Sequence, residues 1–112
     1  MPLSKSSRSS EIDVFSAIAN PTRRQILVRL RKGPCAVNDL AQGFAIGRPA
    51  VSEHLQILRK AHLVREEPRG RERYYHLDPR PLSELEKWLN VFNVYWKKRL
   101  DTLEEVLNEE TK

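Results

Sequence analysis

Apolar residues recur along this chain at two periods, and the switch between them divides it into elements. Glu11 to Ala19 sets Ile12, Val14, Phe15, Ile18 and Ala19 at the spacing of a short helix. Asn20-Pro21 is a restart signal, because Asn caps free N–H groups and Pro fits the first helical position. The helix that follows runs to about Lys32, burying Ile26, Leu27 and Leu30, and Gly33-Pro34 ends it. A third helix, Val37 to about Phe44, turns inward Val37, Leu40, Ala41 and Phe44. Ala45-Ile46-Gly47 leads into a fourth, with Gly47 as a modest cap and Pro49 in the first turn. That helix stops near Ala61, and His62 stands where a left-handed stop residue is needed, at a cost of about 1 kcal/mol.

The period then falls to two. Leu63 to Glu67 and Arg73 to Leu77 predict a hairpin around Pro68-Arg69-Gly70-Arg71-Glu72, with Tyr75 and Leu77 on its inner face. From Pro81 to about Asn108 the helical period returns. Leu82, Leu85, Leu89, Phe92, Trp96, Leu100, Leu103 and Leu107 form a seam widened by Trp88, Val91 and Tyr95. One helix of that length is about 40 Å long, more than so small a body can cover. The simplest burial for its seam is the same helix of a second chain.

The expected architecture is therefore mainly α with a small β-hairpin, a winged helix-turn-helix of order α-α-α-α-β-β-α, dimeric. Residues 1–10, Ser-rich with Lys5 and Arg8, read as a flexible arm. Residues 11–80 read as the winged domain, 81–108 as a dimerisation helix and 109–112 as a tail. With 112 residues the chain supports one small domain. Its 39% hydrophobic and 31% charged residues suit a globular protein. No apolar run predicts a membrane span, and the N-terminus lacks a signal-peptide core, which points to the cytoplasm. A single cysteine, Cys35, agrees with a reducing compartment and reads as a small, half-buried hydrophobe.

Charge sharpens the picture. Residues 1–81 hold 15 Lys/Arg against 8 Asp/Glu, whereas residues 82–112 hold 5 against 7. A basic body with a mildly acidic helical end suggests one face for a polyanion and a separate element for another contact. Beyond the buried Val51, Leu55 and Leu58, the fourth helix presents Arg48, Pro49, Ser52, Glu53, His54, Gln56 and Arg59. Such a row, on a helix offered to a major groove, suits double-stranded DNA. Ser52 and Gln56 each donate and accept, and Arg48 can pair with guanine or clamp a phosphate. Glu53 would accept from cytosine or orient a neighbouring Arg. His54 would either donate to a phosphate or pack against the wing. Arg69, Arg71 and Arg73 are expected on phosphates or in the minor groove. Arg23 and Arg24 read as surface charge.

Enzyme chemistry has no foothold. No nucleophile comes with a base and an orienting partner, and no glycine loop cradles phosphate. No cofactor is expected.

Four stretches together resemble the arsenic-repressor-type (ArsR-type) winged helix-turn-helix regulators: AIANPTRRQIL at 17–27, VNDLAQGFAIGRPAVSEHLQILRKAHLV at 37–64, RGRERYYHLDP at 69–79 and WLNVFNVYWKKRLDTLEEVL at 88–107. The likeness spans about residues 12–107. It implies a homodimer joined through the first and last helices, with Ile12, Phe15, Leu85, Trp88, Leu89, Phe92, Trp96, Leu100 and Leu103 at the interface. It also implies repression of transcription until a signal releases the DNA. Metal-sensing members carry CVCDLC on the third helix, where this chain has AVNDLA, with Ala36, Asn38 and Ala41 in place of thiolates. The family's other metal site uses Asp and His on the last helix, and residues 82–112 contain no histidine. No metal is therefore expected, and the inducer is open. Two other readings are a winged-helix protein-interaction module without DNA binding and a metal- or thiol-responsive sensor.

Overall fold

The structure, a computed structural model, describes residues 12–110. The expected arm at 1–10, Glu11, and the last two residues of the tail lie outside the described residues. Two units are recognised, one ending at Leu82 and one beginning at Ser83.

In the first unit, α1 (Val14–Ala17) is a single turn, capped by the Asp13 carboxylate accepting from the Ser16 amide at 2.8 Å. It is shorter than the expected Glu11–Ala19 helix. Its last carbonyls are satisfied from the next helix instead of by further turns. Arg23 donates to the carbonyls of Ala17 (2.6 Å) and Ser16 (3.2 Å), and Arg24 to that of Ile18 (2.8 Å). These arginines, read from sequence as surface charge, are helix-end partners.

The second helix, α2 (Pro21–Leu30), starts where Asn20-Pro21 places it, with the Asn20 side chain accepting from the Arg23 amide at 3.1 Å. Gly33, at φ 140°, turns the chain away in a region that L side chains avoid. A strand that the hydrophobic pattern did not reveal follows: β1 (Cys35–Ala36) pairs with the second hairpin strand through Cys35–Tyr75 and Ala36–Tyr74. Then comes α3 (Val37–Gln42), ended by Gly43 before reaching Phe44.

The fourth helix, α4 (Arg48–Lys60), buries Val51, Leu55 and Leu58 completely. Its stop is the expected one, since His62 sits at φ 62° and the Leu63 amide reaches back to the Leu58 carbonyl at 3.0 Å. The wing strands β2 (Val64–Arg69) and β3 (Glu72–Leu77) run antiparallel, and the sheet order is β1-β3-β2. Arg69 pairs with Glu72, so only Gly70 and Arg71 make the turn, tighter than the five-residue tip expected. Gly70 at φ 62° explains how, because a left-handed first position is what a two-residue hairpin turn demands. Tyr75 is buried and Leu77 half-buried. The core gathers Ile26, Leu40, Val51, Leu55, Leu58 and Leu63, all buried, behind the outer face of α4.

A 3-10 turn (Arg80–Leu82) closes the first unit. The second is not the single helix expected from 81 to 108. It consists of α5 (Ser83–Asn90) and α6 (Asn93–Glu110), separated at Val91-Phe92. There the amides of Val91, Phe92 and Tyr95 bond three residues back, to Trp88, Leu89 and Phe92, at 2.9–3.1 Å. Asn, β-branched Val and aromatics crowd Asn90 to Tyr95, and these are weaker helix formers than Leu, Glu or Lys. Among the described residues no helix is long and apolar enough to cross a membrane.

Candidate nucleic-acid interface

Burying every third or fourth residue of α4 forces the intervening ones outward. Arg48, Pro49, Glu53, Gln56 and Arg59 are exposed, while Ser52 and His54 are half-buried. Gln56 accepts from Arg59 in a long 3.5 Å contact. Arg48 has no hydrogen-bond or ion-pair partner among the described residues. Glu53 has no cation within ion-pair distance there, so the Arg-orienting role has no partner. His54 turns to α2: its Nδ1 lies 3.3 Å from an Arg23 guanidinium nitrogen.

The wing arginines are not equivalent. Arg73 pairs with Glu66 at 2.9 Å, and the same carboxylate accepts from the Tyr75 hydroxyl at 2.7 Å. Arg69 pairs with Glu67 at 3.1 Å and lies 4.3 Å over the Tyr74 ring. Glu67 also meets His76. Arg71, in the turn, has no such partner among the described residues. The Tyr75 hydroxyl and then Arg73 hold the Glu66 carboxyl below its ordinary range. Burial, reinforced by Glu66, pushes Tyr75 up to about 12. Glu66 therefore stays ionised and Tyr75 neutral at neutral pH.

A small cleft of about 30 Å³ brings separate elements together. Asn38 from the start of α3, Arg48 from the start of α4, and Arg71, Glu72 and Arg73 from the wing line it. Arg48 and Arg71, neither paired among the described residues, thus rim one polar cleft. On the other side of α4, Gln56, Arg59, Lys60 and Arg65 line a wide groove with Glu66 and Asp78. Asp78 is held down to about 2 by hydrogen bonds from Arg80. Sequence reasoning overlooked Asn38, Lys60 and Arg65. Lys60 follows Arg59 directly, and Asn38 opens a helix, but nothing local ties either to the wing or to β2.

Cys35 is buried on β1, with Arg29 4.0 Å from its sulfur, and burial raises its thiol above the ordinary range. That is the opposite of what a reactive thiolate needs. Among the expected interface residues, Ile12 and Leu85 are half-buried, and Phe15, Trp88, Leu89, Phe92, Trp96, Leu100 and Leu103 are exposed. Trp88 and Phe92 touch edge to face with centroids 5.2 Å apart.

Residues 20–66, from the cap of α2 into the wing, match the model for the arsR family of bacterial regulatory proteins. The HTH-type transcriptional regulator Rv2034 of Mycobacterium tuberculosis is 41% identical over 96 residues, covering 86% of this chain and 87% of the relative. The chain belongs to the arsR family. It is a winged helix-turn-helix DNA-binding transcriptional regulator, and the match extends past α4 and the wing. The transcriptional repressor SdpR of Bacillus subtilis is 39% identical across 72% of this chain and 91% of its own. An ArsR-like transcriptional regulator from Rhodococcus sp. RHA1 superposes with a TM-score of 0.67 at 27% identity, covering 86% of this chain and 88% of the other. The family and these relatives carry the names of regulators, not enzymes.

As an arsR-family chain it departs from a metal sensor in its donors. Ala36 and Ala41 offer none, Asn38 offers an amide, and the adjacent thiol of Cys35 is buried. Among the described residues no group of three His, Cys, Asp or Glu side chains converges. This donor set does not fit a thiophilic ion.

Proposed function

We propose that the chain acts as a cytoplasmic homodimeric repressor that reads a pseudo-palindromic operator. The observation that carries this reading is the outward row of α4 beginning at partnerless Arg48, beside a wing whose turn offers a second partnerless cation, Arg71. A guanidinium in such a place finds its counter-charge on a phosphate backbone.

In this reading Ser52 and Gln56 face base edges in the major groove, with Glu53 suited to a cytosine amino group. Arg48 and Arg71 seat a phosphate where α4 meets the wing, with Asn38 adding an amide. Arg59, Lys60 and Arg65 follow the backbone at the other end of α4. Arg69 and Arg73 mainly stiffen the hairpin through their own carboxylates, and His54 works through α2.

The second subunit covers the apolar face of α5 and α6, with Ile12 and Phe15 of the first segment contributing. Exposed apolar side chains recurring from Trp88 to Leu107 exceed what a monomer ordinarily leaves to water. Two-fold pairing sets the two copies of α4 one helical turn of DNA apart, about 34–36 Å, or a multiple of it. The inducer is not a thiophilic metal, because the donors are missing.

Selection of bound duplexes from random DNA tests the whole reading. It should return a two-fold-related motif, bound more weakly as salt rises. Recovery of no motif, with affinity indifferent to salt, would overturn it and favour a protein-docking module.

A further inference from the structure

The side chain of Arg23 joins three elements of the first unit. Its backbone is fixed by the Asn20 cap, with the amide 3.1 Å from the Asn20 oxygen. Its side chain, half-buried, crosses from α2 in two directions. Nε and one terminal nitrogen donate to the carbonyls of Ala17 and Ser16 at the end of α1, at 2.6 and 3.2 Å. The other terminal nitrogen lies 3.3 Å from Nδ1 of His54, in the middle of α4.

Guanidinium only donates, so the Nδ1 it meets must be accepting. The tautomer with its proton on Nε2 is the one that meets this geometry. A histidine free to choose would exchange tautomers and rotate; this one faces a partner whose own position is fixed by two carbonyl acceptors and a capped backbone. His54 follows Ser52 and Glu53 and precedes Gln56, the residues assigned to base edges.

We propose that Arg23 is a positioning residue for DNA reading. It fixes the His54 tautomer and ties the rotation of α4 to α1, so that the segment carrying Ile12 and Phe15 and the reading face move as one. The proposal rests on the DNA-binding reading above. Its regulatory consequence is that a rearrangement of α1 reaches α4 through one fork of hydrogen bonds, without any ligand touching α4.

Two measurements on the full chain test it. The first needs no DNA. Long-range proton–nitrogen spectra of histidine-labelled protein, assigned by the loss of signals in His54→Ala, should show Nδ1 unprotonated and Nε2 protonated. In Arg23→Met the two nitrogens should move toward averaged positions. The second is a double-mutant cycle on a selected duplex. Arg23→Met and His54→Ala should each weaken specific binding about three- to tenfold, the worth of one hydrogen bond, and the double variant no more than the worse single.

A locked tautomer with non-additive losses supports the proposal. A His54 ring that is averaged in the parent, or unchanged in Arg23→Met, overturns it whatever the DNA result. A lock combined with additive losses overturns the coupling to DNA while leaving the DNA reading intact. A parent that binds no duplex overturns both. Should Arg23→Met fail to fold, Arg23→Lys replaces it in the cycle, since an ammonium lacks the planar fork to span three acceptors.

Discussion

The segment up to Leu82 and the segment from Ser83 onward carry similar apolar side chains and treat them in opposite ways. In the first, Ile26, Leu40, Leu55, Leu58 and Leu63 are wholly buried within one chain. In the second, no residue from Ser83 to Asn108 is buried, and Val94 and Tyr95 are 76% and 70% exposed. Leucine has the same transfer free energy in both. What differs is whether the chain folds its own neighbours over it. One segment's stability is a property of the molecule, whereas under the proposed pairing the other's depends on an encounter and hence on concentration.

The sharpest way to break that contrast is to place a charge in the second segment. Phe92→Glu should turn dimers into monomers in light scattering and lower operator affinity about 100- to 10,000-fold, because each half-site is then bound alone. A dimer that survived would put the interface elsewhere. Next in size, Leu55→Ala should cost about 2–5 kcal/mol in denaturant unfolding, independent of protein concentration. Leu100→Ala should hardly move the unfolding of dilute monomer and instead raise the dimer dissociation constant. Equal concentration dependence in the two variants would erase the distinction.

Within the first segment the same logic separates free from committed cations. Ser52→Ala, at a base edge, should lose about 1–3 kcal/mol on the selected duplex and less on random DNA, whereas Arg48→Ala, at a phosphate, should weaken both. Arg71→Ala should weaken both alike, and Arg69→Ala and Arg73→Ala should weaken binding less than Arg71→Ala. Fluorescence anisotropy at fixed salt decides the ranking. The smallest expected effect is on pH. Glu66 has a folded pKa below its ordinary value of 4.5. Its contribution is therefore complete above that value and is lost as pH falls through the depressed folded one. The Tm gap between the parent and Glu66→Gln should hold from neutral pH to about 5 and narrow below it. A constant gap at acid pH would detach the carboxylate from wing stability.

Much of this was legible because it is local. Asn20-Pro21, the spacing of Val51, Leu55 and Leu58, and the left-handed His62 each announce themselves within a few residues, and each stands where the pattern put it. What escaped depends on distance. Two residues, Cys35 and Ala36, are too few to display an alternation, and they become a strand only because Tyr74 and Tyr75 lie opposite. Arg23 and Arg24 look like solvated charge until the chain folds the end of α1 back to them. The interruption at Val91-Phe92 was hidden by a leucine and aromatic rhythm that continues straight through it, while intrinsic propensity weakens beneath. The reading face shows the same split: the row on α4 is periodic and visible, but which wing arginine is free was decided by Glu66, across the hairpin from Arg73, and by Glu67, two residues before Arg69 on the same strand.

That pairing has a thermodynamic signature. Nucleic acid sheds condensed ions when a protein's cation replaces them, and affinity then falls on a log–log plot with a slope of about −0.9 per phosphate neutralised. Arg69 and Arg73 come to the interface already holding carboxylates of the same hairpin. Few ions are released on their behalf, because trading Glu for phosphate leaves a carboxylate to be compensated in turn. Each wing should register near one ion rather than three, so the arginine count overstates how much of the binding energy is entropic.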